Sequence, residues 1–172
     1  MEVWVGMGSN LGDRLSLLQF SLGHLRRLGS VQRLSGIYET EPWGRPDQPA
    51  FLNAVCSLIP LVEDPALFLA ELKALEILAG RDPDAPRWGP RTLDLDLLFW
   101  GHLVYKTDRL TIPHPSLSER RFVLVPMAEV APDLIPPGTG LTVKQLLDAC
   151  PDHSSVRFFG NFLSDKDDLS QS

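Results

Sequence analysis

The chain has 172 residues, a formal net charge of −6, 44% hydrophobic and 22% charged residues. These figures suit a single domain with a real core and exclude disordered, collagenous and coiled-coil classes. The acidity argues against a general nucleic-acid binder, which needs a basic footprint, and no stretch reaches the ~20 apolar residues of a membrane span.

Residues 2–7 read as a strand, and Gly8-Ser9-Asn10-Leu11-Gly12 as a turn. A helix over 13–28 follows, capped by Asp13 and ended by Gly29, with Leu15, Leu18, Leu22, Leu25 and Leu28 as its apolar stripe. Val31–Thr40 and Ala50–Ile59 read as two antiparallel strands. The segment between them, Glu41–Pro49, holds three prolines and a glycine and is irregular. Asp64 and Pro65 start a second helix that Gly80 stops, with Phe68, Leu72, Leu75 and Ala79 facing the core. Arg81–Pro90 is again proline-rich, and Thr92–Trp100 is a strand followed by a short hairpin near Val104. Residues 119–130 and 142–149 read as helices, the first limited or kinked by Pro126. The order predicts an α+β fold, a ferredoxin-like βαββαβ antiparallel sheet with helices on one face and extra C-terminal helices. One domain spans 1–172, with a frayed polar tail from about 160.

Cys56 and Cys150 have no Cys or His at metal-ligand spacing, which argues against zinc and fits a reducing compartment. With no basic leader before the first strand, a cytoplasmic location is expected. Gly6-Met-Gly8 resembles a dinucleotide fingerprint, but Gly12 falls one position late and no parallel repeat follows. A tight strand-to-helix turn explains these glycines better.

Charge is unevenly distributed. Arg81–Arg121 sums to +1, leaving −7 for the rest, and half of the twelve arginines lie in that segment. Within it, Thr92-Leu-Asp-Leu-Asp-Leu-Leu-Phe99 alternates, so Leu93, Leu95, Leu97 and Phe99 share the core face. Asp94 and Asp96 share the other face, with Cα atoms about 6.7 Å apart. Two like charges on one strand face suit a metal pair. The alternative is an exposed edge strand that uses charge against aggregation. Arg81, Arg87, Trp88 and Arg91 lie beside this strand. Guanidinium forks match phosphate oxygens, so metals plus arginines describe a nucleotide-polyphosphate site. Trp88 either stacks on a heterocycle or anchors its loop. His114, between two prolines, either donates to a phosphate or is structural, and Arg109 and Arg120 widen the basic rim.

Together these blocks resemble the 6-hydroxymethyl-7,8-dihydropterin pyrophosphokinase family of folate biosynthesis. The resemblance runs from about residue 3 to 150. Gly8-Ser-Asn-Leu-Gly12, Tyr38-Glu-Thr-Glu-Pro42, Asp47-Gln-Pro and Phe51-Leu-Asn53 carry it. Arg87-Trp-Gly-Pro-Arg-Thr-Leu-Asp-Leu-Asp96, Pro113-His114 and Arg120-x-Phe122 complete it. It implies pyrophosphate transfer from ATP to the pterin hydroxymethyl group, with release of AMP, by a single pyrophosphokinase domain. It implies two Mg²⁺ ions on Asp94 and Asp96, with Arg81 and Arg91 at the phosphates as further catalytic groups. The ATP site would comprise Lys73, Glu76, Arg87, Trp88, Arg91, Arg109, Thr111, His114 and Arg120. The pterin site would comprise Thr40, Glu41, Pro42, Trp43, Phe51, Asn53 and Phe122. Phe51 and Phe122 can sandwich a flat bicyclic ring, and the Asn53 amide can both donate and accept at its edge. The expected partners are the two substrates alone, without nucleic acid or membrane, in a monomer or homodimer. Pro83 and Pro115 stand where some family members carry an Arg and a Tyr.

A different transferase on the same kind of sheet would not need the Phe51, Asn53 and Phe122 pocket. A ferredoxin-like RNA-binding module would need sheet aromatics and a basic face, whereas this strand presents two carboxylates.

Overall fold

A computed structural model describes residues 1–41, 47–80, 84 and 92–164. The chain starts with β1 (Val3–Ser9), which turns at Asn10–Asp13 into α1 (Arg14–Leu28). Asp13 caps α1 by accepting the Ser16 N–H at 3.1 Å, and Leu18, Leu22 and Leu25 form its buried stripe. Next come β2 (Gly29–Leu34), β3 (Ile37–Thr40) and β4 (Phe51–Pro60). The single strand expected over 31–40 is therefore two. They part at Ser35-Gly36, where the Ser35 hydroxyl accepts the Val55 N–H and the Glu129 carboxylate accepts the Gly36 N–H. Side chains there take over hydrogen bonds that a regular ladder would make.

Helix α2 (Pro65–Leu78) starts as its sequence predicts, with Asp64 accepting the Ala66 N–H at 2.8 Å and Pro65 in the first turn. Gly80 ends it at φ +95°, a left-handed conformation that favours glycine. β5 (Asp94–Trp100) follows, then the two-residue strands β6 (Tyr105–Lys106) and β7 (Thr111–Ile112), a 3₁₀ turn at Leu117–Glu119, and α3 (Arg121–Val130). The short hairpin is thus β6 with β7, not a continuation of β5. Pro126 sits inside α3 without ending it. α4 (Val143–Asp148) opens on a capping box between Thr142 and Gln145, and β8 (Val156–Gly160) closes the fold.

The main sheet runs β5-β1-β4-β3-β8, with β2 also paired to β4, and its pairings are antiparallel. β1-α1-β2 and β4-α2-β5 interlock as the split βαβ pattern requires. β8 is an addition that the sequence did not suggest. It extends the edge beyond β3, and the Leu163 N–H beyond it donates to Gln19 on α1. The rest of the expected tail, from 165 onward, lies outside the described residues.

Register sorts the side chains onto two faces. Val3, Val5 and Met7 align with Leu58, Cys56 and Ala54 on one side and with Trp100, Leu97 and Leu95 on the other. These residues are buried under α1 and α2, where Phe68 meets Trp100 edge-on with ring centroids 5.5 Å apart. The opposite face carries Trp4, Gly6 and Gly8, flanked by Asn53 and Val55 on β4 and by Asp94 and Asp96 on β5. Phe122 and Val123 of α3 adjoin this second face, so the helices are not confined to one side.

The pairing of β1 with β5 shifts between Trp4 and Val5. Leu98 is the extra residue of this bulge. It reverses the alternation, so Phe99 stacks on Trp4 at 5.9 Å and Trp100 takes the helix-facing position. The expectation that Phe99 shares the face of Leu93, Leu95 and Leu97 assumed an unbroken strand, and the bulge corrects it.

Candidate functional site

The site lies on the face of the sheet away from α1 and α2. Gly8 pairs with Asn53 on one side and Asp94 on the other, and Gly6 pairs with Val55 and Asp96. Asn53, Gly8 and Asp94 thus form a row across three strands, with Asn53 and Asp94 about 10 Å apart at two strand spacings. Because β1 contributes glycines here, the floor between them has no side chains. A Cβ at Gly8 would stand 2.7 Å from the Asn53 amide oxygen, so a side chain at that point would displace the amide. The small cavity on this floor is bordered by Asn53, Asp94, Asp96 and Phe122.

Asp94 and Asp96 project together from β5 and are partly buried. Arg120, at the start of α3 and 5% exposed, donates from Nη1 to Asp96 Oδ2 at 3.3 Å, and its guanidinium lies 5.7 Å from the Phe122 ring centre. On the edge of β5 that faces α2, Glu76 accepts the Leu95 N–H at 3.0 Å and also bonds Lys73 at 3.0 Å.

Beside the carboxylates, a cleft of about 260 Å³ is lined by Leu69, Lys73, Asp96, Leu97, Arg109, Thr111 and His114. His114 is fixed at its backbone, whose N–H donates to Leu98 O at 2.7 Å. Its Nδ1 accepts the Ser116 N–H at 3.1 Å, which leaves the proton on Nε2. Burial, reinforced by the charge of Arg120 and opposed by Asp94, lowers its pKa to about 4. The ring is therefore neutral at pH 7, with one nitrogen able to donate.

On the other side of the glycine floor, the Asn53 amide donates to the Thr40 hydroxyl at 2.6 Å. Phe51 and Phe122 are each partly exposed. Glu41 is exposed, and its main chain and carboxylate both bond the Ser155 backbone. The structure therefore brings together Thr40, Phe51, Asn53 and Phe122 on one side. It groups Lys73, Glu76, Asp94, Asp96, Arg109, Thr111, His114 and Arg120 on the other, with Glu41 at the rim. Pro42, Trp43, Arg81, Arg87, Trp88 and Arg91 lie outside the described residues.

Two groups of supporting residues had no role in the sequence reading. Asn10, 3% exposed, donates to the Gln48 side chain and to Pro49 O, both at 3.0 Å, and Arg14 donates to Ala50 O and Glu39. These bonds anchor the chain entering Phe51. The Asp152 carboxylate accepts the Arg121 N–H at 3.2 Å and so caps α3 from 31 residues away. A buried Asn inside Gly-Ser-Asn-Leu-Gly was the available signal for the first group. The second, a long-range cap, leaves none in a local pattern.

Among the described residues no cluster of three or more His, Cys, Asp or Glu side chains could hold a metal. Two hard oxygen donors at the mouth of a cleft nonetheless fit Mg²⁺, which is usually held by one or two carboxylates plus substrate phosphates and water. Paired carboxylates, a guanidinium, a neutral imidazole donor and an aromatic-flanked amide around one floor suit the chemistry of a nucleotide-dependent transferase.

Comparison with known proteins narrows this class. A profile of the 7,8-dihydro-6-hydroxymethylpterin-pyrophosphokinase (HPPK) family matches residues 4–132, and the chain belongs to that family. The 2-amino-4-hydroxy-6-hydroxymethyldihydropteridine pyrophosphokinase of Synechocystis sp. is 42% identical over 146 residues, 84% of this chain and 73% of that protein. The enzyme of the same name from Pseudomonas aeruginosa is 41% identical over 152 residues, 87% of this chain and 92% of that protein. A crystal structure of Plasmodium falciparum HPPK-DHPS with pteroate has the same fold, with a TM-score of 0.71 at 15% identity. The match covers 86% of this chain but only 42% of that longer one.

Proposed function

We propose that the two halves of this face hold the two substrates of the family's reaction, the pterin beside Asn53 and the nucleotide beside Asp94 and Asp96. The reaction is transfer of pyrophosphate from ATP to the hydroxymethyl group of 6-hydroxymethyl-7,8-dihydropterin, giving the pterin diphosphate and AMP. The row Asn53–Gly8–Asp94 carries the reading, because it sets a heterocycle-recognising amide and a metal-binding carboxylate about 10 Å apart over a bare floor.

Asp94 and Asp96 would hold two Mg²⁺ ions, which neutralise triphosphate charge and favour in-line displacement. Asn53, oriented by Thr40, reads the pterin edge, while Phe51 and Phe122 cover its faces. The pterin hydroxyl oxygen forms a bond to the β-phosphorus as the bond between that phosphorus and the α,β-bridging oxygen breaks, releasing AMP, and the hydroxyl proton is given up to water. His114 donates from Nε2 to a phosphate oxygen without adding charge, and Lys73, Arg109 and Thr111 line the nucleotide cleft. Arg120 holds Asp96 in place and is available to phosphate. Arg81 and Arg91 offset charge on the transferred group, and Glu41, Pro42, Trp43, Arg87 and Trp88 complete the two pockets, as the resemblance implies. The whole chain acts as one domain, in the cytoplasm. No helix among the described residues is long and apolar enough to cross a membrane.

The test is product analysis with ATP, Mg²⁺ and the hydroxymethyldihydropterin. AMP should form only when pterin is present, and Asp94→Ala should lower turnover by about 10²-fold or more, as loss of transition-state charge stabilisation does. ADP as the product, or full turnover in the variant, would overturn the assignment.

A further inference from the structure

Among the described residues β5 is the last strand on its side of the main sheet, so no strand ladder takes up its outward N–H and C=O groups. At Leu95 two side chains of α2 take that place. Glu76 Oε1 accepts the Leu95 N–H at 3.0 Å, and Lys73 Nζ reaches the Leu95 carbonyl oxygen at 3.5 Å. Lys73 also bonds the same Glu76 oxygen at 3.0 Å, which ties the pair together.

The location of these bonds is informative. The Leu95 N–H belongs to the peptide that joins Asp94 to Leu95, and its C=O to the peptide that joins Leu95 to Asp96. Rotation of either peptide plane changes where one carboxylate points relative to the other. α2 therefore grips both peptide units that separate the two acids.

Glu76 is 1% exposed, although it lies on a helix whose other buried residues are Phe68, Leu72 and Leu75. Burying a carboxylate is costly unless it is paired and hydrogen-bonded, and an apolar residue would fill the same space at lower cost. A plain packing role does not account for an acid at this point. A need to hold Leu95 does.

We propose that Glu76 is a positioning residue for the metal carboxylates. It fixes the strand between Asp94 and Asp96 through the Leu95 amide, and Lys73 completes the clamp. This rests on the reading of Asp94 and Asp96 as the metal ligands. It gives Glu76 a function that begins before nucleotide arrives.

The experiment combines amide hydrogen exchange on the chain alone with Mn²⁺ binding, read by electron paramagnetic resonance in the presence of α,β-methylene-ATP. In Glu76→Ala the Leu95 amide should lose its protection while amides of β1 and β4 keep theirs, which shows that the fold is intact. Mn²⁺ affinity should fall by about tenfold or more, the usual effect of losing a group that orients a metal ligand. Glu76→Gln keeps an acceptor oxygen and should retain both Leu95 protection and Mn²⁺ affinity. Wild-type Mn²⁺ affinity in Glu76→Ala would overturn the proposal. So would a Glu76→Gln variant that keeps Leu95 protected yet loses Mn²⁺, because charge rather than the hydrogen bond would then be responsible. This second outcome decides the matter if the alanine variant does not fold. Asp94→Ala, measured alongside, separates the two layers. Undiminished Mn²⁺ binding there would overturn the metal reading itself. Lost binding there with full binding in Glu76→Ala would overturn the positioning role alone.

Discussion

At the scale of single residues, Gly8 and His114 show how much depends on what is left out or left neutral. A methyl group at Gly8 would meet the Asn53 amide oxygen, and that amide is already fixed by its bond to Thr40. Gly8→Ala should therefore turn the Asn53 amide away from the pterin edge. We expect the KM for pterin to rise about tenfold, the cost of one misplaced hydrogen bond, while nucleotide affinity stays near wild type. His114 makes a pH prediction. Burial, with Arg120, lowers its pKa to about 4 against an ordinary value of 6.5. Between these values the unfolded chain binds more protons than the folded one, so stability rises with pH across that window. The contribution is complete above pH 6.5 and is lost as pH falls toward 4. Urea unfolding at pH 7 and pH 5 should show a smaller loss of stability in His114→Gln than in wild type, and equal slopes would count against the assignment.

At the scale of elements, α3 supplies Arg120 and Phe122 to the site, and its first turn is held from outside. Asp152 is pushed up by burial, but its bonds to Ser154 and to the Arg121 amide outweigh this and hold its pKa below the usual carboxylate range. Asp152→Ala should lower stability by about 1 kcal/mol, as other cap losses do, with chemical denaturation as the check. The elements also show what sequence could reveal. α1 and α2 were legible because caps, stripes and a terminal glycine all agree within each segment. The division of residues 29–40 into β2 and β3 was not, since it depends on Ser35 and Glu129 bonding groups that lie far away in the chain. The paired acids of β5 stood out because Asp is rare in strands. Their row with Asn53 required the register of three strands, which no single segment contains.

At the scale of the molecule, the C-terminal strand joins distant parts of the domain. β8 covers β3 and sets Phe158 edge-on against Tyr38 at 5.7 Å, while the adjoining Ser155 holds Glu41 at the rim of the site. Removing residues 156–172 should expose the β3 edge and lower the Tm by about 5 °C or more, on the scale of 2–4 °C per kcal/mol for a chain of this length. Scanning calorimetry of the truncated chain would show it, and an unchanged Tm would mean that β8 adds nothing to the fold. This segment lies beyond the family-matched residues 4–132, so family motifs gave no notice of it. The overall charge of −6 was a poor guide to partners for a similar reason. On the proposed reading Asp94 and Asp96 would meet phosphate through metal, and the net sum does not show which charges meet.

The bulge at Leu98 divides one short strand into two reading frames. Ahead of it, Asp94 and Asp96 take the open face. Behind it, the same face belongs to Phe99 and the packing against Trp4. Deleting Leu98 would close the ladder into a continuous pleat without moving either set, because Val5–Leu97 and Trp4–Phe99 are already successive pairs. The carboxylates and the aromatic pair would keep their sides. What would go is the Leu98 side chain, which lies beside Gly6 on the open face, and the added twist of the bulge. Leu98 is thus a spacer: it places an apolar wall next to the acids while leaving the facing of its neighbours as an unbroken strand without it would have it.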